Sequence, residues 1–232
     1  LYPTMSETPY RKPRIPHPGV LALMAAVLLI TYVLSAVWLP YLRNREAIAE
    51  FEKLGGYAKV LIVRPFWIPG AVDDEYFERI TEASLSGTHV GDVELEFLGG
   101  LDDLQFLYLS RTQIGDAGLE RLGDLSALQW LILDSTEVSD DGLEHLPGLT
   151  NLRRLSLVDT RVSDAGLAHL RQLPNLQWLS LDDTQVSDAG LEHLRELSNL
   201  RYLRLGGTQV TEAGVESLQK TLSNCRISWT SR

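Results

Sequence analysis

From Leu104 onward, apolar and polar residues return in fixed columns every 24 residues, most fully in LRRLSLVDTRVSDAGLAHLRQLPN from Leu152 and LQWLSLDDTQVSDAGLEHLRELSN from Leu176. Each copy contains two periods. Leu155 and Leu157 alternate with Arg154 and Ser156, the period of two of a half-buried strand. Leu167 and Leu170 then fall three apart, on one face of a short helix. Self-similarity at such a spacing predicts a solenoid whose strands pair in parallel into a concave sheet, with helices on the convex side. Regular copies begin at Leu104, Leu128, Leu152, Leu176 and Leu200 and fill residues 104–222.

Upstream the pattern wears down. Residues 80–103 form a degenerate copy, with Ala83 in a leucine column and Glu94 in a glycine column. Residues 40–79 are predicted to cap the open end of the core: a helix carrying Ile48, Phe51 and Leu54 and stopping at Gly55-Gly56, a strand at Lys59–Val63, a loop at RPFWIPG, and a helix over Asp73–Ile80. Residues 223–232 are predicted to close the other end, with Ile227 and Trp229 in a last strand.

A different pattern governs Gly19–Leu39, which is uncharged and apolar except for Thr31, Tyr32 and Ser35. At about 1.5 Å per residue it reaches about 30 Å, the hydrocarbon thickness of a bilayer. Its length exceeds a signal-peptide core, and Leu34-Ser35-Ala36 is a poor cleavage site, so a retained transmembrane helix is predicted. Residues 1–18 are rich in proline and are predicted to form a disordered tail. Basic residues flank the helix equally on both sides; we place the tail inside and the repeats on the extracytoplasmic side of a single-pass protein.

Within the repeats, Thr160 and its equivalents (Thr112, Thr136, Thr184, Thr208) follow the strand, where a buried hydroxyl is expected to bond backbone groups of adjacent turns. Ser163-Asp164 and its equivalents have the form of helix N-caps. Glycine recurs at 118, 142, 166, 190 and 214 although it costs a helix up to about 1 kcal/mol, which predicts close approach of helix to sheet.

The L-x-x-L-x-L-x-x-T spacing, repeated five times in phase, resembles the leucine-rich-repeat family. Its T-x-V-S-D-x-G-L subtype is similar to repeats of many bacterial surface and membrane proteins and to the substrate-binding half of F-box adaptors, although here a membrane segment stands where an F-box-like segment would be. The resemblance covers about residues 80–229 and implies an α/β fold, a right-handed solenoid preceded by one transmembrane helix. For function it implies protein–protein interaction, with the partner unspecified.

Charge narrows the partner. The chain carries a net −10; residues 1–45 hold five basic residues against one acidic, leaving 16 basic and 30 acidic in the remainder. Such a domain repels phosphate backbones, so nucleic acid is not expected as a partner. The outward strand columns are the candidate binding face: Phe106, Trp130, Arg154, Trp178 and Tyr202 in one stripe, Tyr108, Ile132 and Arg204 in the next, with Asp134, Asp159, Asp182 and Asp183 beside them. Aromatics with arginine are the composition of binding hot spots, and the carboxylates favour a basic protein or peptide. Because Arg154 and Arg204 depart from the repeat, they are the sharper candidates.

His145, His169 and His193 also recur at the repeat spacing, as solvated helix positions rather than metal ligands. Cys225 stands alone, so no intrachain disulfide forms. The sequence lacks H-E-x-x-H, G-x-G-x-x-G, a Walker loop and G-x-S-x-G. No catalytic residue, cofactor or metal is therefore expected. The leading reading is a membrane-anchored binding protein. Alternatives are a scaffold in a membrane assembly using its convex side, or a substrate adaptor.

Overall fold

A computed structural model describes residues 17–64 and 72–230. The tail before His17 and the loop beyond Arg64 lie outside the described residues. The chain divides into two units, one up to Leu39 and one from Pro40. In the first, helix α1 (Pro18–Val33) passes into a π-helical turn at Leu34–Trp38. Proline at the helix start loses no bond, since the first N–H groups have no intrahelical acceptor. The hydroxyls of Thr31 and Ser35 donate back to carbonyls one turn earlier (Thr31 to Val27 at 3.0 Å and Leu28 at 2.9 Å, Ser35 to Tyr32 at 3.2 Å). These two hydroxyls are thus satisfied within the helix itself. Among the described residues, one helix, beginning at Gly19, is long and apolar enough to cross a membrane.

The second unit opens within α2 (Leu39–Lys53), which stops at Gly55; its φ of +80° is one that side chains rarely adopt. Phe51 is fully buried and meets Phe97 edge-on at 4.9 Å, while Ala47 fills the same face. Asn44 donates to the Glu78 carbonyl at 2.7 Å and Arg43 to the Gly100 carbonyl at 2.8 Å. The helix is fastened across the leucines of the degenerate repeat. Strand β1 (Tyr57–Ile62) then runs antiparallel to β2 (Glu78–Ser84).

One expected element is corrected here. Asp73–Ile80 is no helix: a single 3-10 turn, Asp74–Phe77, is capped by Asp73, and the chain enters β2 at Glu78. The reason is tertiary. Ile80 pairs with Val60 while Glu82 to Ser84 pair with Phe106 to Tyr108, so neighbouring strands supply the backbone partners that a helix would have made for itself.

From β2 onward every pairing is parallel and in register at the repeat spacing. The strands are β3 (Phe106–Tyr108), β4 (Trp130–Ile132), β5 (Arg154–Ser156), β6 (Trp178–Ser180), β7 (Tyr202–Arg204) and β8 (Arg226–Ser228). Leu107, Leu131, Leu155, Leu179 and Leu203 stack into one fully buried rung row. The convex side carries α3 (Asp116–Leu122), α4 (Asp140–Leu143), α5 (Leu167–Leu170), α6 (Asp188–Leu194) and α7 (Glu212–Thr221). Beyond β8, the Trp229 indole donates to the Val210 carbonyl at 2.9 Å.

Two repeat columns work differently from their sequence expectation, and the Ser-Asp column does more than cap its helix: Ser187 accepts from the Ala189 amide at 3.3 Å and Thr211 from the Gly214 amide at 3.2 Å, as N-caps do. Each buried threonine donates within its own repeat rather than to an adjacent one, Thr160 to the Leu157 carbonyl at 2.7 Å. The aspartates tie consecutive repeats together. Asp140 accepts from the Ser163 amide at 2.7 Å and the Ser163 hydroxyl at 2.5 Å, and Asp164 takes the same two bonds from Ser187 at 2.7 and 2.6 Å. Asp116 and Asp188 repeat this with Ser139 and Thr211. The recurring glycines make room for these carboxylates and not for the sheet: a Cβ on Gly166 would stand 2.4 Å from Asp140 Oδ1, and one on Gly190 2.3 Å from Asp164 Oδ1.

Asp164→Ala is therefore expected to lower stability by about 1–3 kcal/mol, because a half-buried amide and hydroxyl lose their acceptor. The urea midpoint measures it, with Asp141→Ala, an exposed neighbour of the ladder, shifting it little. A second expectation concerns Cys225, which is buried; desolvation pushes its thiol up to about 11, against a smaller opposing effect from Arg201. At a pH of about 8 only about one molecule in a thousand carries the thiolate, so a thiol reagent should label Cys225 only on unfolding. Rapid labelling of the native chain would contradict this.

Candidate recognition face

Because the middle residue of each three-residue strand points into the core, the first and third residues face the concave side. Parallel pairing in register then brings residues 24 apart into lateral contact. Trp130, Arg154 and Trp178 are consecutive rungs, and the Arg154 guanidinium lies 4.0 Å from the Trp178 ring centre and 5.1 Å from that of Trp130. Phe106 extends the stack, edge-on to Trp130 at 5.2 Å. Each such cation–π pair contributes about 0.5–2 kcal/mol. Arg154 is half-buried, and its Nε has no hydrogen-bond acceptor.

Tyr202 is more than half exposed at the end of the stripe. In the next column Tyr108 and Ile132 are half-buried and Arg204 is exposed, while Ser156 and Ser180 are buried. Burial and the nearby Glu82 carboxylate push the Tyr108 phenol above its usual range, keeping it a neutral donor.

The four carboxylates separate into two kinds. Asp182 is buried: it pairs with Arg204 at 2.7 Å and accepts from the Gly206 amide at 2.6 Å. Asp134 is half-buried and accepts from the Val158 amide at 3.2 Å. These two are engaged in joining repeats. Asp159 and Asp183 are exposed but sit in the turn leaving the strand, with φ of +55° and +58°. Arg111, Ser135 and Gly207 hold the same left-handed turn in other repeats, a conformation that aspartate and glycine tolerate comparatively well.

Phe106, Trp130, Arg154, Trp178 and Tyr202 thus line one open cavity of about 480 Å³. Tyr108, Ile132, Asp134, Asp182 and Arg204 line a neighbouring one of about 390 Å³, which Trp130, Arg154 and Trp178 also border. Asp159 and Asp183 line neither. The larger cavity also contains Gln129, Arg153, Gln177 and Arg201, which lie outside the sequence-based candidates. These four precede the strands by one residue, so strict alternation assigns them to the far face; the strands begin after them and the rule does not apply. None of the described residues before Phe106 lines either cavity.

Among the described residues no three His, Cys, Asp or Glu side chains gather as metal ligands do. His193 instead contacts the Arg171 guanidinium at 2.6 Å.

A leucine-rich-repeat family model matches residues 103–123. The solved structures that resemble the chain include a leucine-rich-repeat protein of Leptospira interrogans, 25% identical with a TM-score of 0.47, covering 57% of this chain and 33% of that one. Internalin C2 of Listeria monocytogenes is 26% identical with a TM-score of 0.44, covering 65% of this chain and 81% of that one. For internalin F of the same organism the values are 23%, 0.48, 64% and 46%. The match therefore spans about a third of the Leptospira protein and less than half of internalin F. No curated protein matches the sequence significantly.

Proposed function

We propose that this chain, a leucine-rich-repeat protein by its five in-phase copies and the family match within them, captures a polypeptide segment on its concave face without catalysis. The observation that carries the reading is the Trp130–Arg154–Trp178 stack: a charged side chain is held between two indoles on an open sheet. Rigid aromatics around an arginine are what interface hot spots are made of, and burying them beneath a partner releases apolar surface from water. Phe106, Tyr108, Ile132, Tyr202 and Arg204 extend the contact along the sheet. Helix α1 anchors the protein in a bilayer, with the repeats on the extracytoplasmic side.

The test is a photo-crosslinking residue placed at Tyr202, on the stripe, or at His169, on convex helix α5. The concave reading expects one partner to be joined from position 202 and none from 169. Partner joined from 169 alone would instead favour the scaffold reading.

A further inference from the structure

The concave face is electrically divided. The larger cavity contains three arginines, Arg153, Arg154 and Arg201, and no carboxylate, although the chain as a whole carries a net −10. Elsewhere Arg45 pairs with Glu75, Arg161 with Glu137 and Arg195 with Glu192, while Arg111, Arg121 and Arg226 form no ion pair among the described residues. Arg153 and Arg201 are exposed and form no ion pair among the described residues, and Arg154 is bracketed by indoles instead of an anion. The acids of the face are already engaged: Glu82, one rung before Phe106, pairs with Lys59, Asp182 pairs with Arg204, and Asp134 accepts from a backbone amide.

Resting on the concave reading above, we propose that the partner is an acidic polypeptide segment whose carboxylates lie along Arg153, Arg154 and Arg201 while its apolar side chains cover Trp130 and Trp178. This reverses the polarity expected from the aspartates in the sequence. Three facts select this occupant. Guanidinium groups bind carboxylates through paired donors, and the half-buried Arg154 lines the cavity with no acid among the cavity's lining residues. Burying the face without an anion would leave that guanidinium desolvated and uncompensated, whereas a carboxylate supplies the missing charge. The basic strip is also short, with the exposed Asp159 and Asp183 beyond the stripe, so a long phosphate polymer would run onto like charge.

The experiment is selection of short random displayed peptides on the full chain in detergent, with the Trp130→Ala/Trp178→Ala variant as the subtracting control. Peptides that depend on the two tryptophans should be enriched in Asp and Glu. A representative one, synthesised free, should lose at least about tenfold in affinity with Arg153→Glu/Arg201→Glu and weaken as salt is raised. Both arginines are exposed, so folding is expected to persist; Arg153→Gln/Arg201→Gln should give a smaller loss in the same direction. Tryptophan-dependent peptides that are basic or neutral would overturn the polarity and leave the concave face standing. Absence of any tryptophan-dependent enrichment would overturn both. An oligodeoxythymidine that binds more tightly than the selected peptides would replace a peptide by nucleic acid.

Discussion

Gly166→Ala is expected to lower the stability of the repeat unit by about 2–5 kcal/mol, measured by urea unfolding with near-ultraviolet and far-ultraviolet signals followed together. Gly166 holds helical φ and ψ one residue before α5, so propensity alone predicts a gain of at most about 1 kcal/mol. Sterics decide. The new methyl would stand 2.4 Å from Asp140 Oδ1, 3.0 Å from Leu143 Cδ1 and 3.1 Å from the Asp140 Cα, the last being backbone that cannot swing aside. Displacing the Asp140 carboxylate takes away both bonds to Ser163. Overpacking costs about 1–3 kcal/mol and each stranded polar group a similar amount, which together exceed the propensity gain. If the carboxylate is the obstacle, Asp140→Ala/Gly166→Ala should cost less than the two single changes summed. Strict additivity would show that the glycine is needed for another reason.

Trp130→Ala/Trp178→Ala is expected to weaken partner capture by at least about a hundredfold while leaving the far-ultraviolet spectrum unchanged. Each indole contributes contact area to the partner and holds Arg154 between them. Truncating both therefore removes apolar surface and frees the guanidinium to wander into solvent. Hot-spot truncations cost about 2–4 kcal/mol, but the two share Arg154, so their effects should not add in full. The fold tolerates the change because the rungs beneath, Leu131 and Leu179, are fully buried and untouched. Capture at undiminished affinity would remove this stripe from the binding surface.

What was legible in the chain followed from periodicity. Leucine columns that repeat without insertion dictate stacked rungs, and every parallel strand pair from β3 onward holds that register. The glycine stop after α2 and the closing strand around Ile227 were readable for local reasons, φ at Gly55 and apolar spacing at Ile227. Interactions between repeats were not legible. A Ser-Asp pair ahead of a helix has the form of an N-cap, and nothing local reveals that the aspartate serves the serine 23 residues further on. The glycine column was misattributed for the same reason, since its obstacle is a side chain from the preceding copy. Asp73–Ile80 has the acidic first turn of a helix, yet β1 claims its last three residues as strand.

The candidate face was half legible. Alternation gave the aromatic stripe but not the arginines at 153 and 201, which precede the short strands. It also grouped Asp182 with Asp183, although one is buried against Arg204 and the other is an exposed turn residue. Composition could not distinguish them; the left-handed turn between strand and threonine does.

The most direct measurement is hydroxyl-radical footprinting of the purified chain, free and with its captured partner, read residue by residue by mass spectrometry. Oxidation of Trp130, Trp178 and Tyr202 should fall on capture, while His145, His169 and His193 on the convex side keep their free rates. Unchanged rates at the three aromatics, with protection of the histidines, would contradict a concave recognition site.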